Sequence, residues 1–127
     1  MKDLVERRKH KRFQVEDGAF ALFTPHWHHS TMSGRITDIS RDGLAFLYIT
    51  SKDGSNGSFE LSILFAYHSF YCDKVPVKTI SDFEVADETR LSSITTRRRG
   101  VQFGELTQDQ ISQLEYFIQN HTKGQRG

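Results

Sequence analysis

Two short clusters in the sequence carry side chains suited to gripping an anionic, hydrogen-bonding molecule. The first is Glu6-Arg7-Arg8-Lys9-His10-Lys11-Arg12-Phe13, which contains Arg8-x-x-x-Arg12. A guanidinium is planar and permanently charged, so it can fork onto a phosphate, fork onto the O6/N7 edge of guanine, or stack on a purine face. A lysine cannot do all three. The second cluster is Asp38-Ile39-Ser40-Arg41-Asp42-Gly43-Leu44. Asp and Ser cap turns through their own side chains, and Gly tolerates backbone conformations closed to other residues. Taken singly, the first cluster reads as a solvated basic tail and the second as an ordinary turn.

The elements that must position these clusters are mostly strands. Short runs rich in β-branched and aromatic residues recur at 18–24, 34–39, 43–50, 59–66, 71–80, 83–86 and 98–105, with turn residues between them. That pattern predicts an antiparallel β domain. Phe59, Leu61, Ile63 and Phe65 alternate with Glu60 and Ser62, as in a strand with one buried face. Lys52-Asp53-Gly54-Ser55-Asn56-Gly57 predicts a hairpin loop between two strands, and Pro76 predicts a sheet edge or a bulge at 75–77. The period then changes. Thr107 with Gln110 forms a capping pattern, and Ile111, Leu114, Phe117 and Ile118 share one stripe of a helix over about 108–121. Gly124 is the expected stop, and residues 123–127 the expected fraying tail.

Composition bounds the function. A chain of 127 residues with 10 Phe, 4 Tyr and 1 Trp can bury one core without disulfides or metal. Its single cysteine, Cys72, cannot form an internal disulfide, which fits a reducing compartment. The longest apolar run, Leu44 to Ile49, is far short of the roughly 20 residues of a membrane span. The opening residues lack the apolar stretch of a secretory signal, so the expected location is cytoplasmic. The net charge of +1 is unevenly spread. Residues 1–12 hold six basic and two acidic side chains, a surplus of four, which leaves 13–127 at net −3. The positive charge is therefore an arm, expected to be mobile and to seek an anionic partner.

Taken together, a basic RxxxR just before the first predicted strand and a DxSxxG one or two strands later resemble the PilZ domain family. The ending Arg99-Gly100-Val101-Gln102-Phe103 with Leu106, followed by an amphipathic helix, is also similar to the last strand and helix of these domains. The resemblance covers nearly the whole chain. It implies a mainly β fold, a six-stranded antiparallel β-barrel (six to seven strands here) with a C-terminal α-helix. Residues 1–12 would be the arm and 13–122 the barrel and helix. It also implies a receptor for the bacterial second messenger cyclic di-GMP, with no other cofactor and no metal. Arg8 and Arg12 match the family's arginines for phosphate and guanine, with Arg7 adjacent; Asp38, Ser40 and Gly43 match its second motif. In that reading Asp38 accepts from the guanine N1 and N2 amines, Ser40 bonds a base or phosphate oxygen, and Gly43 lets the backbone approach a flat base. The ligand would order the arm and so change the protein's contacts with an effector protein, which in this family commonly belongs to motility or exopolysaccharide machinery.

Other chemistries fare worse. Pro25-His26-Trp27-His28-His29 would place two imidazoles on one strand face, but structural zinc wants four ligands and there is no cysteine pair. Trp27 could serve a partner protein or pack over the barrel end. Arg97-Arg98-Arg99 could widen the positive surface or simply solvate a strand end. The sequence holds no GxSxG, HExxH or P-loop, so the expectation is a protein that is not an enzyme. The alternatives are a ligand-blind PilZ interaction module and a small nucleic-acid-binding barrel. The net −3 of residues 13–127 weighs against the barrel, because nucleic-acid binders show a broad basic face.

Overall fold

Alternating burial along the chain sets the architecture. In the computed structural model, which describes residues 11–24, 31–50, 57–67, 69–85 and 95–125, eight strands and one helix follow one another. They are β1 (Phe13–Val15), β2 (Ala19–Phe23), β3 (Met32–Ile39), β4 (Gly43–Thr50), β5 (Ser58–Phe65), β6 (Phe70–Glu84), β7 (Thr95–Phe103), α1 (Gln108–Asn120) and β8 (Thr122–Gln125). Six strands in the order β2-β5-β6-β7-β4-β3 close into an antiparallel barrel through the β2–β3 pairing. This is the mainly β barrel with a C-terminal helix that the sequence predicts, with β1 and β8 added beside it. β3 has two neighbours on one side in succession. Its first half pairs with β2 (Phe20↔Arg35) and its last residues with β1 (Phe13↔Ile39, Gln14↔Asp38).

The barrel is filled from every wall. Phe46, Phe65, Ile36, Ile39, Leu44, Leu61, Ile63, Val75 and Val101 are all less than 2% exposed, each contributing about 1.5 to 3 kcal/mol of burial. Leu61, Ile63 and Phe65 point inward as their alternation predicts, and Phe59 packs against the same core. On α1, Leu114 and Phe117 are the buried residues, and Phe117 meets Phe65 and Phe70 at centroid distances of 5.9 and 5.1 Å. The expected capping box is present: Gln110 N–H donates to Thr107 Oγ1 at 3.1 Å, and Thr107 N–H to Gln110 Oε1 at 3.0 Å.

Four expectations change. The turn-rich 52–57 segment does not close a hairpin, because β4 pairs with β3 and β7 while β5 pairs with β2 and β6. Residues 51–56 themselves lie outside the described set. Glycine and asparagine report that a chain turns; they carry no information on which strand it will lie beside. The predicted strands 71–80 and 83–86 are one strand as far as Glu84, the break being absorbed as a bulge between Thr79 and Ser81 opposite β7. Pro76 sits on no edge strand. It lies two residues from the irregularity at Asp73–Lys74 and at the end of the β6–β7 ladder, where its carbonyl accepts from Gly104 N–H at 2.8 Å. Finally, the expected tail is structured through Gln125, since β8 pairs with β1 (Phe13↔Gln125, Gln14↔Gly124). The helix therefore stops at His121, whose N–H caps onto Phe117 O, and Gly124 belongs to a strand.

Candidate functional site

The end of β1 and the β3–β4 turn meet on the outer face of the barrel. Arg12, the last residue before β1, reaches Asp38 on β3 with Nε at 3.1 Å and Nη2 at 2.6 Å from Oδ1. From β7, Arg98 brings its Nη2 to within 3.0 Å of Asp38 Oδ2. The carboxylate is 0% exposed and bridges two guanidinium groups that come from segments 26 and 60 residues away in sequence. Their side chains keep 18% and 26% exposure, so the charges face outward while the acid sits behind them. Asp38 therefore holds the arginines in place. The guanine-reading role the sequence suggested would require carboxylate oxygens that here accept from Arg12 and Arg98.

The turn itself is pinned by backbone and by Ser40. Ser40 N–H donates to Gly43 O at 2.8 Å, Ser40 Oγ accepts from Asp42 N–H at 3.1 Å and from Gly43 N–H at 3.3 Å, and Phe103 N–H on β7 donates to Asp42 O at 2.7 Å. Ser40 is thus the cap of its own turn. Gly43 has no positive φ. It is demanded by crowding instead, because a Cβ there would stand 2.0 Å from Val101 O. The close approach it permits is that of β7 to β4. On the far side of the turn, Arg41 reaches Glu115 of α1 at 3.6 Å, an exposed pair of small energetic weight.

A cavity of about 350 Å3 opens over these groups, lined by Arg12, Ser40 and Gly43 together with Ile80, Ser81 and Arg98. Of the six residues proposed from sequence, Arg12, Ser40 and Gly43 line it, Asp38 lies behind its arginines, and Arg7 and Arg8 fall outside the described residues. Sequence reasoning left Arg98 among three undifferentiated arginines and passed over Ile80 and Ser81. The signal for Arg98 was its parity in β7, opposite to that of Arg97 and Arg99; the bulge that presents Ile80 has no signature in the chain.

The other two arginines of that run serve another acid. Arg97 Nε and Arg99 Nε donate to the two oxygens of Asp82 on β6 at 2.6 and 2.8 Å, and Tyr48 OH donates to Asp82 Oδ2 at 2.6 Å. Arg99 also lies over the rings of Tyr48, Phe59 and Phe23 at 5.0, 5.5 and 5.8 Å. Burial alone would raise the Asp82 carboxyl, but the hydrogen bonds from Tyr48, Arg97 and Arg99 outweigh it and hold the group below its ordinary value. Burial, then the bond to Asp82, push the Tyr48 phenol up to about 12. Burial likewise raises the Cys72 thiol to about 11, far from a reactive thiolate. Among the described residues no cluster of His, Cys, Asp and Glu could hold a metal, and the histidines of 25–30 lie outside that set.

No family model matches this sequence, and no curated protein matches it. Solved structures do. The fold is similar to the PilZ domain with c-di-GMP of YcgR from Escherichia coli, at 21% identity and a TM-score of 0.70 over 91% of each chain. It is similar to the K. pneumonia MrkH–c-di-GMP complex at 12% identity and a TM-score of 0.71, over 90% of this chain and 52% of that one. A third likeness is to the Bacillus subtilis inhibitor of motility MotI/DgrA, at 17% identity and a TM-score of 0.64, over 89% and 50%. The chain spans about half the length of these last two. The architecture is that of a PilZ domain.

Proposed function

We propose that the protein is a cyclic di-GMP receptor whose ligand lies across the barrel's outer face between Arg12 and the Ser40–Gly43 turn. The observation that supports this reading most is convergence. Arg12 of the RxxxR cluster and Ser40 and Gly43 of the DxSxxG cluster, far apart in sequence, border one polar cavity, with Arg98 in the same wall. Two structures of similar fold are described as holding c-di-GMP, a dinucleotide with two phosphates and two guanines, which suits such a lining.

In this reading Arg12 is part of the site before ligand arrives, since Asp38 already fixes it, and the ligand then draws Arg7 and Arg8 across the cavity. β1 follows Arg12 directly and is paired to β8, so a pull on the arm is felt at the C-terminal strand. The altered surface is what an effector protein would meet. The test is isothermal titration in parallel with cyclic di-GMP, cyclic di-AMP, GTP and single-stranded DNA. Micromolar or tighter binding of cyclic di-GMP alone, about −8 kcal/mol or better, is the expected result. Binding to DNA alone would favour the nucleic-acid reading, and binding to none would make the protein a ligand-blind interaction module.

A further inference from the structure

Arg98 belongs to neither motif, yet it occupies the same cavity as Arg12 and hangs from the same carboxylate. Side chains alternate faces along a strand. Arg97 and Arg99 go to Asp82, which leaves Arg98 on the outer face, paired in register with Leu47 of β4 and Phe83 of β6. Its bond to Asp38 uses one hydrogen of Nη2, so the second Nη2 hydrogen and the neighbouring Nη1 remain as an adjacent pair of donors with no partner among the described residues. Arg12, by contrast, engages Asp38 through both Nε and Nη2. Beside Arg98 in the cavity wall, Ile80 rides on the β6 bulge with 61% of its surface exposed, an apolar surface left uncovered by the described residues.

From this geometry we infer that Arg98 is a specificity-determining residue of the site, forking through its remaining donors onto the O6/N7 edge of a guanine whose face rests on Ile80. Asp38 is its positioning residue. The chemistry discriminates by itself: guanine offers two acceptors on that edge, whereas adenine offers one acceptor and a donor that opposes a guanidinium. The strand context makes the fork accurate, because β7 is held on both sides and Asp38 fixes the plane of the side chain from behind.

The inference rests on the cyclic di-GMP reading, and the test separates the two. Wild-type, Arg98→Ala and Arg98→Lys chains are titrated with cyclic di-GMP, and their melting is followed in the absence of ligand. Arg98→Ala should weaken binding by about 5- to 100-fold, the range of one lost bidentate base contact. Arg98→Lys, which keeps the charge and an ion pair for Asp38 but not the fork, should melt like wild type and lose nearly as much affinity as the alanine variant. A lysine variant that binds like wild type would show that a point charge suffices and overturn the forked readout. Unchanged affinity in the alanine variant would remove Arg98 from the site while leaving the receptor reading intact. A wild-type chain that binds no cyclic di-GMP would overturn both.

Discussion

Asp38 and Asp82 are the same device used in opposite ways. Each is a carboxylate, 1% and 4% exposed at the side chain, that gathers two arginines, and each takes at least one of them from the run 97–99. Around Asp82 the cluster is closed on the Arg99 side, while Arg97 keeps 15% exposure. Arg99 is 6% exposed and sandwiched among aromatic rings, and Tyr48 completes the carboxylate's bonding. Around Asp38 it is open, with both guanidinium groups at the wall of a cavity. An acid with arginines is a structural knot when aromatic rings cover it, and it becomes a platform when the cover is missing. Covering is decided by the parity of one residue in a strand.

The largest effect should come from untying the closed knot. Asp82→Ala leaves Arg99 buried without its counter-ion and should lower stability by about 3 to 5 kcal/mol in chemical denaturation, while the folded fraction keeps its affinity for cyclic di-GMP. A variant as stable as wild type would erase the distinction between the two clusters.

At the open cluster the balance reverses. Arg12→Ala should weaken cyclic di-GMP binding by about 1.5 to 3 kcal/mol, as for a lost charge-assisted hydrogen bond, and lower stability by only about 1 kcal/mol, because Arg98 still satisfies Asp38. Calorimetry and thermal melting on one preparation measure both. Hydrogen exchange sharpens the point further. Phe13 is already paired to Ile39 and Gln125, so ligand should add protection upstream of Arg12 and little at β1 itself.

Gly43→Ala probes the turn between them. The added methyl collides with Val101 O, so β4 and β7 must part, at about 1 to 3 kcal/mol. Because Arg98 rides on β7, affinity should fall along with stability, unlike in Asp82→Ala.

The smallest expected effect is a pH signature of the closed cluster. The folded Tyr48 phenol is raised, so its contribution is complete below the unfolded value near 10 and is lost as pH climbs through about 12. Asp82 is depressed, so its contribution is present above an unfolded value near 4 and fades as pH falls through its lower folded value. Melting temperature should sag at both extremes, and Tyr48→Phe should flatten the alkaline limb. An unaltered alkaline limb in that variant would assign the loss to other groups.

The chain by itself determined a good deal. Alternation at 59–65, the capping box at Thr107 and Gln110, and the helical stripe are local patterns, so they were legible; of the stripe, Leu114 and Phe117 are buried and Ile118 packs in part, while Ile111 at its edge stays exposed. The tertiary structure alone decided which strands are neighbours, and with that the rest. β4 turned away from β5 to lie against β7, a choice set by the closing of the barrel and invisible to any turn residue. The same closure brought Arg98 to Asp38 across 60 residues, so the acid that the sequence offered as a ligand contact also braces two arginines. It also made Gly43 necessary through strand crowding, where the sequence offered a turn conformation or room for a flat base as the reason. β1 is too short, at three residues, and β8 too polar to announce themselves; β1 is held between β3 and β8, and β8 satisfies its backbone on β1. Local periodicity is written in the sequence because it depends on neighbours along the chain; pairing depends on which distant backbone groups are left to satisfy, and only the closed barrel fixes that.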